Sequence, residues 1–247
     1  MARPGIALVA GGSGGIGAEI VRLMSARGEH VVFTFRNNED AAQALGKQTK
    51  AAYTHCDLAD AASTARTVET TDSRFGGIHT VIYAAGPHIP MKHLSAVTPE
   101  ELLGQLTTDS AAFFNLVQPA LPALRRARGS VVAVTTAATA RFAVRDGLSS
   151  VPKAAVEAMV RALAKEEGRF GVRVNAVGPG MLTDGMAERL IASGELDERA
   201  LDAARGNIPL RTFGTARDVA EAVCFLASDA AGYISGQKLD VDGGYGA

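Results

Sequence analysis

The sequence predicts an α/β protein of Rossmann type: a doubly wound parallel sheet of about seven strands with helices on both faces. Three observations predict it. Short apolar runs recur along the chain: "GIALVA" (5–10), "HVVFTF" (30–35), "HTVIYAA" (79–85), "SVVAVTT" (130–136) and "VRVNAVG" (172–178). The runs are continuous rather than alternating, which marks strands buried on both faces and so paired in parallel. Amphipathic segments separate them, and strand–helix alternation along the chain calls for right-handed crossovers.

The first run leads into "AGGSGGIGAEIV", with Gly11, Gly15 and Gly17 between strand and helix. Gly11 permits a tight turn, while Gly15 and Gly17 let backbone approach a pyrophosphate and the helix pack closely. Free N–H groups at a helix start then face the phosphates, so Gly11, Ser13, Gly15, Ile16 and Gly17 are candidate cofactor contacts. The following helix carries Ile16, Ile20, Leu23 and Met24 on one stripe and stops at Gly28. The second run ends "VVFTFRNNED". A carboxylate there would bind the ribose hydroxyls of NAD, but Phe35 holds the position and Arg36 follows. A guanidinium matches a 2′-phosphate, so NADP(H) is the expected cofactor.

Further on, "TPEELLGQL" reads as a helix start with Thr98 as N-cap, Pro99 at the first position and Glu101 closing a capping box. The stretch "GLSSVPKAAVEAM" (147–159) contains Pro152, which disfavours helix at the residue before it. A helix starting near Val151 or Pro152 is therefore expected, with Ser149 just outside it. Its residues Val156, Met159, Val160 and Leu163 form an apolar face. "RRAR" at 125–128 reads as a solvated charge run.

Composition narrows the function classes. The chain has 247 residues, 47% hydrophobic and 21% charged, with a formal net charge of −1. That balance attracts neither nucleic acid nor an anionic membrane. Cys56 and Cys224 lack metal-ligand spacing, and no metal site is expected; two isolated thiols fit a reducing compartment. No run reaches the ~20 apolar residues of a membrane span, and the first residues lack a signal-peptide pattern. A single cytoplasmic domain over 1–247 is the expectation.

Several of these segments together resemble the short-chain dehydrogenase/reductase family along nearly the whole chain. The glycine loop is one; "CDL" at 56–58, "NAVGPGML" at 175–182 and the ending "FLASDAAGYISGQKLDVDGGYG" are the others. The resemblance implies adenine contacts at Asp57 and Leu58, and nicotinamide-side contacts at Ala85, Gly86, Lys153, Pro179, Gly180 and Leu182. It also implies a homotetramer and a substrate lid around 181–208. The family's chemistry uses Asn, Ser, Tyr and Lys, and here only Lys153 is retained. The serine position falls on Thr136, the tyrosine position on Ser149 and the asparagine position on Asp109. "NNAG" reads "YAAG", so Tyr83 replaces an asparagine that supports the sheet. After "PG", where the family has a threonine that touches nicotinamide, Asp184 stands, with Thr183 one place early. The 2,4-dienoyl-CoA reductases also have a serine four places before the lysine, but their tyrosine position is Ala138 here.

A serine hydroxyl has a far higher pKa than a phenol and a shorter reach. Three sources of the proton follow. Lys153 with Thr136 or Ser149 organises a water, Asp109 acts as an acid raised by burial, or the substrate carries its own acid. None of Tyr53, Tyr83, Tyr233 and Tyr245 aligns as a relocated donor, although Tyr245 lies in a tail that can reach a neighbouring subunit. His88, His93, Arg141 and Arg145 fall in loops where a substrate would lie. The sequence thus leads to an NADP(H)-dependent oxidoreductase acting on a small ketone or conjugated enoyl substrate. The alternative from another class is a silent scaffold that binds nucleotide for sensing or assembly.

Overall fold

The computed structural model describes residues 4–87, 89–184 and 198–247. Seven parallel strands form one sheet in the order β3-β2-β1-β4-β5-β6-β7. They are β1 (Ile6–Ala10), β2 (Val31–Phe35), β3 (Ala52–His55), β4 (Ile78–Tyr83), β5 (Ser130–Val134), β6 (Arg173–Pro179) and β7 (Lys238–Val241). The five continuous apolar runs are the five inner strands, where neither face meets water. The edge strands β3 and β7 hold only half-buried and exposed residues, so no apolar run marks them.

The helices are α1 (Gly15–Ala26), α2 (Glu39–Thr49), α3 (Ala61–Phe75), α4 (Pro99–Gln105), α5 (Ala112–Ala127), α6 (Gly147–Glu167), α7 (Glu198–Gly206) and α8 (Ala216–Ala227). Val68, Phe113, Leu116, Val156 and Val160 from α3, α5 and α6 pack on one sheet face. Ile20, Leu23, Leu45, Val219 and Val223 from α1, α2 and α8 pack on the other. The doubly wound expectation is therefore met on both faces. The capping box at Thr98 and Glu101 forms as expected, and Gly28 adopts φ +84° just past the end of α1. Both cysteines are buried and free, and burial pushes the Cys224 thiol up to about 11.

Two expectations are corrected. The helix carrying Lys153 starts at Gly147, not at Val151 or Pro152, so Ser149 lies inside its first turn. The Asp146 carbonyl accepts the N–H groups of Ser149 (3.0 Å) and Ser150 (2.9 Å), which nucleates the turn ahead of the proline. Pro152 then removes only the donor that the Leu148 carbonyl would have used. Nor is "RRAR" merely solvated. Arg125 forks onto Glu167, both contacts at 2.7 Å, and stacks on Phe170; Arg126 reaches Asp72 at 2.6 Å. Glu167 is only 4% exposed, and the arginine fork holds its carboxyl below the ordinary value.

Candidate active site

In a doubly wound sheet, ligands bind beyond the carboxyl ends of the strands, where the strand order reverses. Here that point lies between β1 and β4, whose loops touch. Gly11 has φ +77°, and a Cβ on it would come within 2.7 Å of the Ala85 backbone. A Cβ on Gly17 would lie 2.2 Å from the Gly11 carbonyl oxygen. Gly14 precedes α1 without a capping side chain, and the first helical bond is from Ala18 N–H to its carbonyl. The N–H groups of Gly15, Ile16 and Gly17 therefore stay available beside the half-buried Ser13. This is a cradle lined by backbone donors, and it fits a phosphate group. Arg36 is exposed at the end of β2 and has no ion pair among the described residues. Asp57 is half-buried, and one carboxylate oxygen accepts the Ala59 N–H at 3.1 Å; Leu58 is buried beside it.

The nicotinamide-side candidates gather at the ends of β4 and β6. Ala85 and the exposed Gly86 follow β4, and Gly180 N–H donates to the Val241 carbonyl at 2.9 Å. Pro179 ends β6, and Leu182 pairs with Gly214. Asp184 is turned elsewhere: both its oxygens accept the Ala216 N–H at the start of α8 (2.9 and 3.0 Å). Thr183 is bonded to the Gly214 carbonyl through its backbone. Of the expected lid, residues 185–197 lie outside the described residues.

The polar centre is built by three residues from three elements. A π-turn, Leu106–Ala111, joins α4 to α5 and carries Asp109 and Ser110, both buried. The extra residue of a π-turn shifts the register and brings both side chains inward. Ser110 donates its hydroxyl to the Pro152 carbonyl at 2.9 Å, which docks the turn on α6. Lys153 on α6 donates to Oδ1 of Asp109 at 2.9 Å and to the Ala85 carbonyl at 3.4 Å. From β4, the Tyr83 hydroxyl donates to the same Oδ1 and to the Asp109 carbonyl, both at 2.9 Å. The lysine ammonium also sits 5.0 Å from the centre of the Tyr83 ring. Tyr83 is fully buried, and burial together with the Asp109 charge drives its phenol well above the ordinary value. It is locked as a hydrogen-bond donor. Oδ2 of Asp109 has no hydrogen-bond partner among the described residues.

Thr136 and Ser149 are half-buried nearby in sequence terms, on the β5 loop and the first turn of α6. Thr136 Oγ accepts the Ala138 N–H at 3.1 Å, while the Ser149 hydroxyl bonds to no described residue. Behind Thr136, Lys238 donates to its carbonyl (3.2 Å) and to Thr139 (2.6 Å), and pairs with Asp240 at 3.0 Å. Thr139 in turn donates to the buried Glu157 at 2.8 Å. Burial raises the Asp240 carboxyl. This charged cluster braces the Thr136 loop, and only "KLD" at 238–240 in a strand of small and apolar neighbours could have signalled it.

Among the loop candidates, Arg141 donates to the Tyr245 carbonyl (3.0 Å) and stacks on its ring, so the tail tyrosine is committed within this chain. Arg145 is held by the Met91 carbonyl through two bonds of 3.1 and 2.7 Å. His93 is exposed beside a short 3-10 turn, and His88 lies outside the described residues. Sequence reasoning missed Asp146, which burial raises to about 6. Its only sequence signal is its place three residues before Ser149. Among the described residues, no group of His, Cys, Asp and Glu could hold a metal ion, and no helix is long and apolar enough to cross a membrane.

Comparison with known proteins agrees with this fold. Residues 10–246 match the profile of the family described as Enoyl-(Acyl carrier protein) reductase. Versicolorin reductase 1 of Aspergillus parasiticus is 32% identical over 97% of this chain and 95% of its own. A 3-oxoacyl-[acyl-carrier-protein] reductase of Staphylococcus aureus is 31% identical over 96% of each chain. Among solved structures, an NADPH-bound short chain oxidoreductase of Pseudomonas aeruginosa PAO1, described as containing an atypical catalytic center, superposes with a TM-score of 0.89. It is 27% identical, covering 98% of this chain and 97% of its own.

Proposed function

The chain belongs to the short-chain dehydrogenase/reductase family of oxidoreductases, and on that premise we propose that it is an NADP(H)-dependent reductase working without a tyrosine general acid. One observation carries the reading: Lys153 is kept and set by Asp109 beside an open, uncapped phosphate cradle. Gly11, Ser13, Gly15, Ile16 and Gly17 would hold the phosphates, Arg36 the 2′-phosphate, and Asp57 and Leu58 the adenine. Ala85, Gly86, Lys153, Pro179, Gly180 and Leu182 would hold the nicotinamide side. When bound, the reduced dinucleotide supplies a hydride to an electrophilic carbon.

The chain's own residues supply position and charge. Asp109 acts as the counter-ion of Lys153 rather than as an acid, because its Oδ1 already accepts from two donors. Lys153 keeps N–H capacity beyond these contacts, which suits a ribose hydroxyl or a water. That water, with the free Ser149 hydroxyl or Thr136, is one route for the proton. The relative named as a reductase of 3-oxoacyl chains favours a ketone substrate; a conjugated enoyl group, as in the dienoyl-CoA reductases, is the second choice. Leu94, Phe142 and Val144 are exposed apolar side chains on the loops after β4 and β5, which suits an apolar substrate body. Assembly as a homotetramer belongs to the same proposal.

The silent nucleotide-binding scaffold remains the second reading, favoured by the absorption of Lys153 into a buried ion pair. A fluorescence titration with NADPH and NADH side by side tests both. Tight NADPH and weak NADH binding is expected, with turnover abolished by Lys153→Ala. Binding of neither nucleotide would overturn the reductase, and binding without any turnover would favour the scaffold.

A further inference from the structure

Asp146 stands at the N-cap of α6, yet its carboxylate does not cap the helix. Its carbonyl does so instead, accepting the N–H groups of Ser149 and Ser150 and the Ser150 hydroxyl at 3.0 Å. The carboxylate is left without a hydrogen bond or ion pair to any described residue. Among the described residues, the cations on the elements around it are committed elsewhere: Lys92 to Glu101, Arg141 to the Tyr245 carbonyl, Arg145 to the Met91 carbonyl, Lys153 to Asp109. His93 is exposed. The segment 92–94 crosses the start of α6 through a parallel bridge between Lys92 and Asp146. Leu94 packs so closely on Gly147 that a Cβ there would lie 2.5 Å from it. Burial lifts the Asp146 carboxyl to about 6.

Helical register links Asp146 to the site. At 3.6 residues per turn, Asp146, Ser149 and Lys153 are spaced i, i+3 and i+7 and so share one face, spanning about 10 Å. Side chains on a helix lean toward its N-terminus, so a long residue at 149 would cover the turn that holds Asp146. Serine stops short of it. Lys153 stands two turns further on, its ammonium held by Asp109 and by the Ala85 carbonyl at the end of β4.

We propose that Asp146 is the general acid of this site, delivering the proton from the place a longer side chain at 149 would have covered. The inference rests on the reductase reading above. In a ketone reduction, the carboxyl O–H bond of Asp146 breaks and its proton joins the carbonyl oxygen. The C=O π pair moves onto that oxygen as the carbon gains a hydride, with its two electrons, from the reduced nicotinamide dinucleotide. The half-exposed carboxylate then regains a proton from solvent.

Two measurements on the full-length protein test it, using wild type, Asp146→Asn, Ser149→Tyr and the double variant. The first is difference infrared spectroscopy of protonated carboxyl groups across pH 4 to 8, which needs no substrate. A carboxyl titrating near pH 6 in wild type and absent from Asp146→Asn is expected; its absence from wild type, or persistence in the variant, overturns the proposal. The second follows NADPH-dependent reduction of 3-oxoacyl thioesters and small ketones. Asp146→Asn should lose about 100-fold or more in kcat while NADPH affinity stays within about twofold. Wild-type kcat should fall about tenfold per pH unit above pH 6, a limb missing from the variant, and Ser149→Tyr should restore turnover in the double variant. An Asp146→Asn enzyme with full kcat and the same pH limb overturns the acid role and leaves the reductase intact. A wild type that fails to bind NADPH overturns the reductase itself, a different pattern.

Discussion

The ammonium of Lys153 lies 2.9 Å from Oδ1 of Asp109, and only 8% and 1% of the two side chains are exposed. A charge this deep is tolerated because it is paired and because further groups share the load: the Tyr83 hydroxyl on Asp109 and the Ala85 carbonyl on Lys153. Three residues that replace or retain key family positions thus act as one unit.

Breaking that unit from one side should be costly. Asp109→Ala leaves a buried ammonium without its counter-ion, a loss of about 3–5 kcal/mol. Urea unfolding should show it, and a paired Asp109→Leu/Lys153→Met variant should lose less than the two single changes combined. An Asp109→Ala midpoint equal to wild type would remove the pair from any account of stability.

Tyr83 should behave as a fixed donor. Tyr83→Phe removes a hydrogen bond to a charged group, worth about 1.5–3 kcal/mol. Because burial and the Asp109 charge raise its phenol well above the ordinary value, Tyr83 should contribute no phenolate absorbance around pH 10. Wild type and Tyr83→Phe should then give equal phenolate yields in a spectrophotometric titration; a larger yield from wild type would show an accessible phenol.

Arg36 should set nucleotide choice. Arg36→Ala is expected to weaken NADPH about 10- to 100-fold, or about 1.4–2.8 kcal/mol, with NADH nearly unchanged. Equal losses for both nucleotides in the fluorescence titration would place Arg36 outside the 2′-phosphate site.

Asp146 should also mark the pH dependence of stability. Its folded value, about 6, lies above the ordinary 3.8, so the native state holds the proton more tightly than the unfolded chain between those values. The associated stabilisation is full at low pH and is lost as pH rises toward 6. Asp146→Asn lacks this titration and should therefore gain on wild type from pH 4 to 6, then stay level. Allowing for the part of the group that faces solvent, the gain is about 1 kcal/mol. Thermal melts across that range check it, and a gap that does not change with pH would refute it.

Much of the architecture was legible because local physics encodes it. Continuous apolar runs mark the inner strands, and Gly11 and Gly17 mark a turn where added side chains would strike backbone. The edge strand "AYTH" escaped because one side of it meets solvent and no run forms. The start of α6 was misplaced because Pro152 is a strong local signal, whereas the Asp146 carbonyl that overrides it is visible only in three dimensions.

By itself, then, the sequence determined the layered fold, the glycine turn ahead of α1 and the retention of Lys153, since each follows from residue type and short-range spacing. The tertiary structure alone decided what Lys153 meets. Asp109 is 44 positions from Lys153 and 26 from Tyr83, and only the packing of α6 and the π-turn against the end of β4 brings the three together. The Asp146 carboxyl is likewise raised by burial and left without a partner among the described residues, at a point bridged by the distant 92–94 segment, which no local pattern records.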